Sequence, residues 1–101
     1  MEAWRTEALI KLLLNPAARI DERDDAAMDL AESDDPRARS ALIVIACDRD
    51  CEDIIAVSAG ESLAWIAARS GPLTAGQLAA LRPDALTEYH ATYSRLTGTA
   101  S

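Results

Sequence analysis

Carboxylates are the residues of this chain best able to do chemistry, and their spacing says which kind. Glu22, Asp25, Asp29 and Glu32 follow one another at intervals of 3, 4 and 3, so all four share one face if the segment is helical. Acid–base catalysis needs carboxyl groups placed in a cleft against a substrate. A row along a polar helix face, continued by Asp34, Asp35, Asp48 and Asp50 on neighbouring turns, makes a negative surface instead. Like charges three and four apart cost about 0.2–0.5 kcal/mol per pair. Glu22 and Asp25, near the helix start, recover part of this from the helix dipole, whereas Glu32 at the far end gains nothing. The row is therefore slightly unfavourable for the isolated fold. It reads either as a solvated face of an Ala-rich protein or as a docking surface for a basic partner.

Other reactive side chains are sparse. His90 is the single histidine and has no partnered nucleophile in sequence, so it is expected at the surface or in packing. Cys47 and Cys51 sit four apart, a spacing that allows a disulfide or half a metal site. One histidine does not complete a zinc set, and without an export signal reduced thiols are expected. There is no phosphate loop and no nucleophile motif. No enzyme activity, metal or cofactor is expected.

Net charge is −7, and it is concentrated: residues 21–53 hold twelve acids against four arginines, a net of −8, while the remainder is +1. Such a field repels nucleic acid and draws basic partners. No apolar run reaches the ~20 residues needed to cross a bilayer. After Arg5, Lys11 breaks the apolar run at Ala8-Leu9-Ile10, which makes a poor signal peptide. The expected protein is cytoplasmic, with no membrane partner.

These residues need elements to position them. The 101 residues suit one domain, residues 1–101, with a frayed tail over 97–101, and Phe is absent, so Ala and Leu must fill the core. Trp4, Ala8, Leu9, Leu12 and Leu13 fall at helical spacing and predict a first helix over 2–14, ended by Asn15-Pro16. Ile20 is expected to anchor the link to a second helix over 22–33, with Ala27, Leu30 and Ala31 inward. Asp35 and Pro36 then stand as N-cap and first residue of a third helix. Its seven apolar residues, Ala41 to Cys47, cover every side of the cylinder and predict burial in the middle of the array. A fourth helix over 51–69 turns Ile55, Ala59, Leu63 and Ile66 inward. A fifth, capped by Thr74, runs to Leu81, and a sixth runs from Pro83-Asp84 to Leu96. Gly60 inside the fourth helix costs about 1 kcal/mol relative to Ala, and implies either close approach of a neighbour or a bend.

A shift of 36 positions superposes Pro36 on Pro72, Asp25 on Glu61, Leu30 on Ile66, Leu42 on Leu78 and Ile45 on Leu81. That period belongs to helical-hairpin arrays, in which stacking supplies the core that one hairpin lacks. The fold class expected is all-α, a short antiparallel helical-hairpin stack of about six helices. The same shift places Trp65 over Asp29 and beside Glu61, where it is either a core residue or an interface anchor of the kind enriched at binding hot spots.

Asp24-Asp25-Ala26-Ala27-Met28-Asp29-Leu30, Asp35-Pro36-Arg37-Ala38 and Gly60-Glu61-Ser62-Leu63-Ala64 with Trp65-Ile66 resemble small HEAT-like bacterial proteins. Many of those are immunity proteins encoded beside polymorphic or contact-dependent toxins. The resemblance covers roughly residues 20–70 and departs from the pattern at Ala59 and at Trp65-Ile66. It implies a HEAT-like stack and a partner that is a basic toxin domain, plausible as a nuclease. Glu22, Asp25, Asp29, Glu32, Asp34, Asp35, Asp48, Asp50, Glu61 and Trp65 are then the expected partner-binding residues. The rival expectation is a HEAT-like adaptor that bridges proteins with no toxin involved.

Overall fold

The computed structural model describes residues 1–98; the expected frayed end at 99–101 lies outside the described residues. Six α-helices follow in order: α1 (Ala3–Leu13), α2 (Ile20–Asp29) continued by a 3-10 turn (Leu30–Glu32), α3 (Pro36–Cys47), α4 (Asp53–Ser70), α5 (Ala75–Ala80) and α6 (Pro83–Thr97). Among the described residues there is no strand. The protein is an all-α helical stack.

Local signals set the boundaries. The Asp35 carboxylate accepts the Arg37 backbone N–H at 2.9 Å, with Pro36 as the first residue of α3. Thr74 and Gln77 cap α5 reciprocally, each side chain taking the other's backbone N–H. Gly71 leaves α4 at φ 109° and Gly98 closes α6 at φ 70°, conformations in which glycine carries no Cβ penalty. Thr97, expected in the frayed tail, is the last helical residue, its hydroxyl bonded to the Tyr93 carbonyl.

The repeat is visible in the bonds that tie one hairpin to the next. Ser58 bonds Asp24, Ser62 bonds the Ala27 carbonyl, Arg69 bonds Asp34, Arg39 bonds the Gly71 carbonyl, and the Arg82 N–H bonds the Ala46 carbonyl. All span 32 to 36 residues, the period read from the sequence. Partners advance together along α2 and α4, so these helices run side by side in the same direction. By the same test α1 is antiparallel to α2: Thr6 meets Ser33, while the Leu13 carbonyl meets Arg23.

The core is one contiguous cluster in which Leu13, Leu30, Leu42, Ile55, Leu63 and Tyr89 are among the residues excluded from solvent. The fourth helix, not the third, is its centre. Nine α4 residues are buried, and α4 packs against α2, α3 and α6. The third helix has α4 on one side and α1 on another, which leaves Val44 57% exposed and Ile43 and Cys47 half-buried. An all-apolar circumference thus does not by itself mark the central helix. Two smaller expectations also change. Trp4 is 68% exposed and Ala8 is on the surface, while Thr6 and Leu13 are the buried residues of α1. A hydroxyl takes the inward position because Ser33 pairs with it at 3.0 Å, so burial leaves no polar atom unmatched. Ile20 begins α2 but points to solvent. The repeat also fades at α5, which buries none of its residues; Leu78 is only half-buried where its counterpart Leu42 is fully so.

Gly60 is explained by close approach. A Cβ there would lie 2.4 Å from the Ala85 carbonyl oxygen of α6, so the backbones meet where only glycine fits.

Candidate protein interface

The α2–α4 seam gathers most of the residues expected at a binding surface. Small residues let the two helices approach, and two serine hydroxyls close the joint: Ser58 donates to Asp24 at 2.5 Å and Ser62 to the Ala27 carbonyl at 2.6 Å. Outward of this joint the seam opens into two grooves. One, of about 670 Å³, lies toward the start of both helices and is lined by Ile20, Asp21, Asp24, Asp25 and Ile54 together with Ala18 and Arg19. The other, of about 400 Å³, lies toward their ends and is lined by Met28, Asp29, Ala31, Glu32, Trp65 and Arg69. Ile20, Met28, Ile54 and Trp65 are between 42% and 56% exposed. Four of the chain's exposed large apolar side chains thus sit in one seam among carboxylates. Trp65 is an outward residue, not a core one.

Charge along the seam is unbalanced in a particular way. Some carboxylates are answered within the chain: Asp35 by Arg37 at 2.8 Å, Asp84 by Arg82 at 3.0 Å with Asp53 on the same guanidinium, and, in the first of the seam's grooves, Asp21 by Arg19 at 2.9 Å. On the seam the side chains of Asp25, Glu32 and Glu61 have no hydrogen bond or ion pair among the described residues. Asp29 is met only loosely by Arg5 at 3.8 Å, and Glu22 by Arg19 at 3.9 Å. Both are exposed pairs, which contribute little.

The expected site residues divide accordingly. Asp25, Asp29, Glu32, Glu61 and Trp65 share the seam, and Glu22 extends it along α2. Asp34 stands at its end, bonded to Arg69 at 3.2 Å. Asp35 is committed to the start of α3, where the Arg37 guanidinium and N–H hold its carboxyl below the ordinary range. Asp48 and Asp50 belong to the α3–α4 turn at the other end of α4, where the Asp48 carboxylate accepts the Asp50 N–H and its carbonyl accepts from Arg82. The 18 residues of α4, a length of about 27 Å, separate that turn from Asp34 and Asp35. The acid expected on these turns therefore does not form one continuous patch.

Ile20 and Met28 were not expected on this surface, and three further contributors, Ile54, Arg23 and Arg82, also escaped the sequence reading. Ile54, Ser58, Glu61 and Trp65 repeat on α4 at intervals of 4, 3 and 4, so the outward row carries an apolar residue at each end, and that spacing could have found Ile54. Arg23 lies four residues before Ala27 and seven before Leu30, an inward position. It is buried, with Nε donating to the Leu13 carbonyl at 3.0 Å. Arg82 is also buried, serving the Asp48 and Cys51 carbonyls as well as Asp53 and Asp84; no sequence signal marks it.

Cys47 and Cys51 are free thiols, the first half-buried and the second buried, and burial pushes both thiol pKa values up. Among the described residues no group of three or more His, Cys, Asp or Glu is placed to hold a metal ion, and no helix is long and apolar enough to cross a membrane. No family model, curated protein or solved structure matches the chain.

Proposed function

We propose that this chain is an immunity protein, which binds a basic bacterial toxin domain through the α2–α4 seam and blocks it. The observation that carries the reading is the coincidence, on one seam, of unanswered carboxylates (Asp25, Glu32, Glu61) with exposed apolar residues (Ile20, Met28, Ile54, Trp65). Apolar anchors within a charged surround are the anatomy of a specific protein interface. A nuclease or other toxin acting on a polyanion holds its substrate in a cationic groove, and this seam presents the matching negative surface. Long-range attraction would speed encounter at low salt. Desolvated contacts at Trp65 and Met28 would slow release.

The test uses the toxin domain encoded beside the protein, purified and titrated with wild type and with the double charge reversal Asp25→Lys/Asp29→Lys. Loss of about 2 kcal/mol per reversed residue is expected to weaken binding by three orders of magnitude, with thermal stability held within about 0.5 kcal/mol because both residues are exposed. Unchanged affinity overturns the assignment of this surface.

An adaptor without a toxin partner is the second reading, and one observation favours it. Ile10, Leu14, Pro36, Ala41 and Val44 line a separate groove between α1 and α3, and two docking surfaces suit a bridge. A large secreted protein with a variable C-terminal domain in the upstream reading frame favours immunity, and an operon of assembly proteins favours the adaptor.

A further inference from the structure

We infer that the groove between Met28 and Trp65 is a socket for one arginine side chain projecting from the partner. This rests on the reading of the α2–α4 seam as the interface, and it names the group that seam recognises. The socket's walls are unlike: the Trp65 indole and Met28 thioether offer flat, polarizable apolar surface, while Glu32 offers a carboxylate with no partner among the described residues.

The cation already present does not fill this role. Arg69 donates to Asp34 at 3.2 Å, to the Ser33 carbonyl at 3.2 Å and to the Trp65 carbonyl at 3.4 Å. Its guanidinium is thus tied down at the end of α4. Asp29, on the opposite wall, has only the loose Arg5 contact at 3.8 Å.

Charge and shape together select the occupant. An aliphatic side chain would match Met28 and Trp65 but would bury Glu32 beside apolar surface with nothing to answer it, which is unfavourable. An acidic side chain would meet Asp29 and Glu32. A long stem ending in a cation satisfies both walls, its methylenes on Met28 and its charge over the indole and toward Glu32. The planar, weakly hydrated guanidinium stacks on indole better than an ammonium does.

The chain carries its own control. Trp4 is the other tryptophan, more exposed than Trp65, and its indole N–H donates to the Glu2 carboxylate. It lacks a groove. In NMR titrations of the full chain at constant ionic strength, the probes are acetyl-Gly-Arg-Gly-amide and its citrulline counterpart, which is isosteric and uncharged. The arginine peptide is expected to shift the Trp65 indole N–H and the Met28 methyl saturably. The response at Trp4 should be about ten-fold weaker, the margin that one partly desolvated cation–π contact provides. Citrulline should leave Trp65 unmoved, and Glu32→Gln should abolish the arginine response.

Equal responses at the two indoles, equal responses to arginine and citrulline, or none at Trp65 each overturn the socket. An octalysine peptide separates that failure from failure of the seam. If octalysine moves the amides of Asp25 and Glu61 while arginine leaves Trp65 unmoved, the socket falls and the seam stands. If neither probe moves anything, both fall.

Discussion

The two flanks of α4 are built on opposite terms. Toward α6 the backbones close until Gly60 lies against Ala85, and the Tyr89 hydroxyl accepts the Leu73 N–H from within the core. The buried Arg82 guanidinium locks the α3–α4 turn to the start of α6. Toward α2 the joint is made by two serine hydroxyls and then opens into grooves with apolar walls and unanswered carboxylates. One helix therefore has a flank that stabilises the stack and a flank left unfinished. Surface that contributes little to folding is free to be shaped by a partner, whereas the α6 flank tolerates little change.

Paired substitutions test that division. The largest effect is expected from the arginines. Arg82→Ala removes a buried guanidinium and leaves the Asp48 and Cys51 carbonyls without their donor, at a cost of about 3–4 kcal/mol in urea unfolding. Arg69→Ala, on the other flank, removes a half-exposed guanidinium from an exposed Asp34 and should cost under about 1 kcal/mol. Equal losses would break the comparison.

Glycines sharpen it. Gly60→Ala gains about 1 kcal/mol of helix propensity. The new methyl would meet a backbone oxygen at 2.4 Å, and backbone has no rotamer to move aside. Overpacking of about 3 kcal/mol then leaves a net loss of about 2 kcal/mol, seen as a lower urea midpoint. Gly76→Ala is the control: its Cβ meets nothing nearer than the Thr74 hydroxyl at 4.0 Å, so the propensity gain of up to about 1 kcal/mol should appear unopposed.

The same contrast explains what was legible in the sequence. Elements announced by local chemistry were readable: Asp35-Pro36 at the start of α3, Thr74 at α5, and the inward row Ile55, Ala59, Leu63, Ile66 of α4. The 36-residue period also foretold that α2 and α4 lie side by side, because stacking repeats its own contacts. The central helix was misassigned because the unbroken apolar run Ala41 to Cys47 drew attention to α3. α4 is the longer helix and on average the more hydrophobic, and the packing of α6 against Gly60 makes it the one enclosed. The inward face of α1 was hidden because Thr6 is polar and its partner Ser33 lies 27 residues away. On the α2–α4 seam, the shared face of the α2 row and the outward place of Trp65 followed from spacing and the shift. Asp48 and Asp50 were misjoined to Asp34 and Asp35 because nearness along the chain does not measure distance across an 18-residue helix.

The smallest effect expected is a pH dependence, and it probes an acid outside the seam's unanswered set. Asp35 caps α3 and pairs with Arg37, and these contacts lower its pKa in the folded chain below the ordinary 3.8. A depressed carboxyl binds its proton less readily when folded than when unfolded, so its contribution is complete above pH 4 or thereabouts, the unfolded value. It is lost as the pH falls through the folded value. Asp35→Asn keeps an oxygen to accept the Arg37 N–H but cannot form the charged pair. Wild type should therefore exceed this variant in stability at pH 6, and the gap should close as the pH is taken below 4, read from urea midpoints across the range. A gap that stays constant to low pH would mean that Asp35 acts as a cap alone.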